Sequence, residues 1–208
     1  VVLMAGLGAV LAVGAVAAAD GAGTALHGGT GAGIAVRVIA ERASEWLGAG
    51  NRMHDLGRDV LVDWINGVRE LIAIKADETD SNLRDYACTL LVALISPNCA
   101  AFGQIGDGAI VTLKTDKTWS WVFWPQRGEY ANSTYFVTDD AAMERLEHAS
   151  IPAAIDEVAV FTDGIEPLVL EHNTRSAHQP FFNKMLEPLR DSVQRGHDGR
   201  LSAFLTDY

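Results

Sequence analysis

The chain has 208 residues, of which 49% are apolar, and this is enough to bury a sizeable core. Its formal net charge of −11 and its lack of clustered Lys and Arg argue against proteins that bind nucleic acid by neutralising phosphates. The 20 glycines follow no repeat, which excludes collagen-like and low-complexity classes. We expect a single domain over residues 1–208, without nucleic-acid partners.

Residues 1–19 form a continuous apolar segment with the sequence VVLMAGLGAVLAVGAVAAA. A membrane-spanning helix of about 20 residues is one interpretation. However, Gly6, Gly8 and Gly14 weaken a helix, and no basic residue precedes the segment. We therefore expect two buried strands, or a strand pair joined near Gly6 or Gly8, and no membrane partner.

Two long amphipathic helices are predicted next, over residues 30–47 and 55–75. In the second, Leu61, Trp64, Val68 and Ile72 fall on one stripe. A third helical pattern covers residues 179–194, and residues 201–205 favour a short final helix.

Short apolar runs separated by turn residues occupy the middle of the chain and indicate strands. They cover residues 86–95, 99–105, 109–113, 118–124, 133–138 and 157–162, with loops expected at 139–157 and 171–178. Runs that are apolar on both faces indicate sheets covered on both sides. The order of elements predicts an α+β fold, an antiparallel β-sandwich flanked by helices on the outside, in four layers α/β/β/α.

The two cysteines, Cys88 and Cys99, lie inside apolar runs and form no CxxC pair, so the sequence gives no support for a zinc site. Buried free thiols in a reducing, cytoplasmic compartment are the expected state, and a disulfide between them is the alternative.

Three apolar runs end in Asp-Gly, at Asp20-Gly21, Asp107-Gly108 and Asp163-Gly164. If these strand ends share one edge, their carboxylates converge and repel one another unless a cation neutralises them. Carboxylate oxygens favour Mg²⁺ or Mn²⁺. Asp-Gly is also a common hairpin turn, so the pattern alone leaves both interpretations open.

Four segments, in the same order, resemble the signatures of the metal-dependent Ser/Thr protein phosphatases of type 2C. They are ADGAGTALHGGTGAGIAV, RDYACTLLVALI, FGQIGDGAIVTL and DEVAVFTDGIEPLV, and they lie within residues 17–169. The resemblance implies hydrolysis of phosphoserine or phosphothreonine by a metal-bound water, with no protein nucleophile and with two or more Mg²⁺ or Mn²⁺ ions.

The resemblance also implies site residues. Asp20 would bridge two ions, Gly21 would offer its carbonyl, and Asp163 would be a second carboxylate ligand. Asp107 would border the site, and Asp207 is the candidate for the family's C-terminal acidic ligand.

Two further residues are predicted to contact substrate. His27 lies shortly after the first Asp-Gly and is a candidate acid for the leaving group, although a loop histidine without such a role is the simpler interpretation. Arg127 lies in a polar segment between strands and is a candidate phosphate contact.

The resemblance implies a phosphoprotein substrate, together with a Ser/Thr kinase system that would supply it. The family usually carries an Arg and an acidic pair upstream of the first Asp-Gly, whereas residues 1–19 carry no charge. The alternative is therefore a catalytically silent module of the same fold that binds a phosphoprotein or a kinase.

Overall fold

The structure is a computed structural model that describes residues 2–6, 14–128, 133–152 and 154–193. Its helices are α1 (Gly28–Gly48), α2 (Arg58–Glu78), α3 (Ala142–Arg145), α4 (Glu166–Val169) and α5 (Gln179–Val193). Its strands are β1 (Val2–Gly6), β2 (Gly14–Ala18), β3 (Leu90–Ser96), β4 (Cys99–Ile105), β5 (Ala109–Lys114), β6 (Trp119–Phe123), β7 (Glu147–Ile151), β8 (Ile155–Phe161), β9 (Leu170–Glu171) and β10 (Ser176–Ala177).

Most strands belong to two four-stranded antiparallel sheets. The first sheet has the order β2-β3-β4-β7 and the second has the order β1-β8-β5-β6, while β9 and β10 form a small hairpin. The two strands expected within residues 1–19 are confirmed. The alternative in which they pair with each other is wrong, because β1 pairs with β8 and β2 pairs with β3.

Alternating side chains connect the layers. In β3, Leu90 and Leu94 pack in a cluster with α1 and α2, whereas Leu91 and Ile95 pack against the second sheet. The outer face of the second sheet is covered by α5, where Phe182 is fully buried. Apolar clusters therefore lie between the first sheet and helices α1 and α2, between the two sheets, and between the second sheet and α5. This is the predicted α/β/β/α order.

The predicted helices are confirmed at α1, α2 and α5, whereas residues 201–205 lie outside the described part of the chain. The predicted strand at 86–95 begins only at Leu90. Residues 83–86 form a 3-10 turn, in which the side chains of Asn82 and Asp85 form a capping box.

Residues 133–138 were expected to form a strand, and this is wrong. The Asp139 carboxylate accepts a hydrogen bond from the Phe136 N–H, and this contact turns the chain. The loop expected at 139–157 is also wrong, since it contains α3 and β7. The half-buried edge strand β7 has no apolar alternation that would have revealed it. The loop expected at 171–178 contains the end of β9 and all of β10.

Both cysteines are free and buried, as expected. Within the described residues, no helix has the length and the apolar character that a membrane crossing requires.

The antiparallel pairing brings the three Asp-Gly tips to one edge of the sandwich. In the first sheet, β2 and β4 both end where β3 begins, since Ala18 pairs with Leu91 and Ile105 pairs with Leu90. In the second sheet, the end of β8 at Phe161 pairs with the start of β5 at Ala109. The residues that follow β2, β4 and β8 therefore meet.

The packing of α2 on the first sheet can be tested with a matched pair of substitutions. Ile72 is fully buried, whereas Ile74, two residues along the same helix, is 55% exposed. We expect Ile72→Ala to lower the free energy of unfolding by about 2–5 kcal/mol, because it leaves a cavity. Ile74→Ala should change it by less than about 0.5 kcal/mol. Urea titrations of both variants measure this, and equal losses would contradict the described packing.

Candidate metal centre

Asp20 and Asp163 come together at this edge. Asp20 follows β2 and is half-buried, and Asp163 follows β8 and is exposed. Their side chains are close enough that the Asp163 carboxyl affects the ionisation of Asp20. Burial raises the pKa of Asp20, and the negative charge of Asp163 raises it further. A proton or a cation between two carboxyls this close relieves their repulsion.

Asp107 is a third acidic group near this pair. Burial raises its pKa to about 6, and the charges of Asp163, Glu166 and Asp20 act in the same direction. The turn between β4 and β5 thus adds a third carboxyl, whose ionisation is affected by the charges of Asp20 and Asp163.

Backbone contacts fix the Asp20-Gly21 tip. The Asp20 N–H donates to the Thr89 hydroxyl at 3.1 Å, and the Thr89 N–H donates to the Asp20 carbonyl at 2.8 Å. Gly21 forms an antiparallel bridge with Cys88. A Cβ on Gly21 would lie 2.2 Å from the carbonyl carbon of Gly28, at the start of α1. Only glycine allows the tip to approach the helix this closely.

A buried glutamine supports the Asp107 tip. The Gln104 side-chain amide donates to the carbonyls of Gly106 and Gly108 at 3.3 and 3.0 Å, so it holds the backbone on both sides of Asp107. The Gly106 N–H donates to the Gln126 side chain at 2.8 Å, and Gly106 has a φ of +115°. The sequence-based prediction did not include these residues. The sequence signal that could have revealed this support is the polar Gln104 within the otherwise apolar run FGQIG.

These tips line an open cleft of about 1150 Å³. Its acidic lining residues are Asp20, Asp85, Asp107, Asp139, Asp140 and Asp163. The cleft continues along residues 133–136, which precede α3. Two arginines of α2 donate hydrogen bonds to the backbone of the segment that forms one wall of the cleft. Arg69 donates to the carbonyls of Val137 and Asp139, and Arg58 donates to that of Met143.

The remaining predicted site residues do not join this group. The Arg127 guanidinium is paired with the buried carboxylate of Glu166 at 2.8 Å, and His172 contacts the same oxygen at 2.8 Å. The His27 ring packs on Tyr86 with centroids 4.9 Å apart, and neither His27 nor Arg127 is among the cleft's lining residues. Asp207 lies outside the described residues.

The donor set of the cleft fits a hard divalent cation. Asp20 and Asp163 present neighbouring carboxylates, and a positive charge relieves their repulsion. Among the described residues, no three His, Cys, Asp or Glu side chains are grouped so that they could hold a metal by themselves. Ions at this pair would therefore also use backbone carbonyls or water, as Mg²⁺ commonly does.

Cys88 lies beside this pair but is not a nucleophile. Burial, reinforced by the Asp20 charge, raises the pKa of its thiol to about 12, so the thiolate does not form near neutral pH.

Comparison with known proteins extends over nearly the whole chain. The family model described as Protein phosphatase 2C matches residues 8–206. Serine/threonine-protein phosphatase 3 of Escherichia coli (strain K12) is 36% identical over 187 residues, which cover 86% of this chain and 70% of that protein.

Solved structures share the fold at low identity. The catalytic domain of the serine threonine protein phosphatase PstP, in complex with 2 manganese ions, has a TM-score of 0.59 at 15% identity, covering 83% of this chain and 82% of its own. Stp1 from Staphylococcus aureus has a TM-score of 0.56 at 12% identity, covering 91% and 89%. Together with the family match, these comparisons show that the chain belongs to the protein phosphatase 2C family.

Proposed function

We propose that this protein is a metal-dependent phosphatase that hydrolyses phosphoserine and phosphothreonine in proteins. The observation that carries the proposal is the convergence of the Asp20 and Asp163 carboxyls in an open cleft. The name of the 36% identical relative and the two manganese ions of the PstP structure support it.

Asp20 and Asp163 would hold two Mg²⁺ or Mn²⁺ ions between them, and the Gly21 carbonyl would complete the coordination of one ion. Asp107 would border the same ions. When bound, such ions lower the pKa of a coordinated water and neutralise charge on the phosphoryl oxygens. The chain itself would supply the carboxyls, and the open cleft would admit a phosphorylated side chain.

The catalytically silent alternative is not favoured, because the carboxyl pair that the chemistry needs is present and the relative is named a phosphatase. Phosphoproteins, made by a Ser/Thr kinase system, would be its substrates. A cytoplasmic location stays a prediction.

Substitution of the carboxyl pair tests the proposed function. We expect Asp20→Asn and Asp163→Asn each to lower Mn²⁺-dependent hydrolysis of a phosphothreonine peptide by at least about 100-fold, because each removes a charged metal ligand. Both should also reduce the rise in Tm on adding Mn²⁺. The matched control is Asp63→Asn on the exposed side of α2. Equal rates in parent and Asp20→Asn, or turnover in excess chelator, would refute the proposal.

The close approach at Gly21 gives a second test. Gly21→Ala places a methyl group against the α1 backbone, so the tip that carries Asp20 must move. We expect about 10-fold or greater loss of Mn²⁺ affinity, the size of effect that displaced metal ligands produce. Gly23→Ala is the control, since a Cβ there has no neighbour within 4 Å. Calorimetric titration with Mn²⁺ compares them, and unchanged affinity in Gly21→Ala would contradict the role of this tip.

The raised pKa of Asp107 makes the stability of the metal-free protein depend on pH. Because the folded-state value is about 6 and the ordinary value is 3.8, Asp107 favours the folded state at low pH, and this contribution is lost as the pH rises through 6. In chelator, Asp107→Asn should therefore have a higher Tm than the parent at pH 7, and the difference should shrink toward pH 4. Asp63→Asn controls for removal of one negative charge. A Tm difference that does not change with pH would contradict the assignment.

A further inference from the structure

The lining of the cleft carries more acidic than basic side chains, so an anionic ligand must bind despite this negative excess. Beside its acidic residues, its described lining contains two basic ones, Arg84 and Arg145. Both are exposed, and neither forms an ion pair with a carboxylate of the described residues, although Asp85, Asp139 and Asp140 line the same cleft. Their donors are therefore available to an incoming anion.

Arg145 is held in place by contacts that do not use its guanidinium hydrogen-bond donors. Its guanidinium lies 4.4 Å from the centre of the Tyr135 ring, which also lines the cleft. Its carbonyl accepts a hydrogen bond of 2.7 Å from the Gln126 side chain. The Tyr135 carbonyl lies 3.3 Å from a Cβ position on Gly106, the residue before Asp107. Arg145 is thus fixed beside the Asp107 tip.

Arg84 occupies the other side of the centre. It lies in the 3-10 turn of residues 83–86, and its carbonyl accepts from the Ala87 N–H at 3.1 Å. The Ala87 carbonyl in turn accepts from the N–H of Ala22, next to Gly21. Arg84 precedes β3 and Arg145 precedes β7. These strands flank β4 and begin at the same edge of the first sheet, so both arginines lie at the edge that carries the Asp20 and Asp107 tips.

We propose that Arg84 and Arg145 bind the phosphoryl group of the substrate from opposite sides of the cleft, an inference that rests on the proposed phosphatase function. The phosphoryl dianion must enter a lining with more carboxylates than basic groups, and guanidinium groups bind phosphate oxygens through charge-assisted hydrogen bonds.

This role replaces the phosphate contact predicted at Arg127. The Arg127 guanidinium already bonds the buried Glu166 carboxylate, so its release would leave a buried charge without its partner. No such cost applies to Arg84 or Arg145.

The test uses inhibition by inorganic phosphate and hydrolysis of p-nitrophenyl phosphate by the Mn²⁺-loaded full chain. We expect Arg84→Ala and Arg145→Ala each to raise the phosphate inhibition constant and the KM by about 10-fold, the usual value of one charge-assisted hydrogen bond. Arg145→Lys should recover part of the loss, because it keeps the charge without the planar fork. Arg42→Ala, on the surface of α1 and ion-paired with Glu45, is the control.

Unchanged constants in both alanine variants would overturn the inference. So would a defect restricted to a phosphothreonine peptide with p-nitrophenyl phosphate unaffected, since that would place the arginines on the polypeptide. Thermal unfolding of each variant verifies folding, and Arg145→Gln is the substitute if Arg145→Ala does not fold.

The inference can fail separately from the proposed function. A parent that is active while Asp20→Asn is inactive, together with fully active arginine variants, refutes the arginine role alone. If the parent does not turn over, the proposed function fails, and calorimetric binding of phosphate to the Mn²⁺-loaded parent and Arg145→Ala still decides the arginine role. Equal affinity, or no binding to the parent, overturns it.

Discussion

The Asp20 and Asp163 carboxyls repel each other when both are ionised, yet the fold holds them close together. Such an arrangement costs folding free energy unless a proton or a cation lies between the groups. Each carboxyl follows a strand end whose backbone is paired in a different sheet, so the strand pairing sets how far apart the two backbones lie. The rigid sandwich therefore favours binding of a divalent ion.

The supporting residues explain why the tips are precise. Gln104 is fully buried inside β4, and its side-chain amide donates hydrogen bonds to the carbonyls on either side of Asp107. Gly21 lets one tip touch the start of α1, and Arg69 of α2 holds the opposite wall of the cleft through two carbonyls. Helix α2 thus contributes to the cleft although it lies on the outer face of the first sheet. Breaking the hydrogen bonds of buried polar groups costs free energy. Such groups therefore keep the backbone around a functional site in place.

The basic residues of this part of the fold divide into two kinds. Arg127 neutralises the buried Glu166 carboxylate, which His172 also contacts, and so has a structural partner. Arg84 and Arg145 have no carboxylate partner in the described part of the chain and face the cleft. Local sequence does not distinguish these kinds, since all three arginines lie in polar segments. The difference is that Arg127 lies beside the buried Glu166 carboxylate, whereas Arg84 and Arg145 form no ion pair with a described carboxylate.

By itself, the sequence determined the α/β/β/α fold class, the helices α1, α2 and α5, and the three Asp-Gly tips. These are local properties, because hydrophobic periodicity and strand-ending turns are visible within short windows. It did not reveal the edge strand β7, whose half-buried residues lack alternation, or the irregular course of residues 133–138, which depends on the Asp139 contact with the backbone. Only the tertiary structure decided that β1 and β2 belong to different sheets, that Asp20 and Asp163 meet, and that Arg127 is already paired. These facts depend on contacts between residues far apart in the chain, for which sequence spacing carries no information.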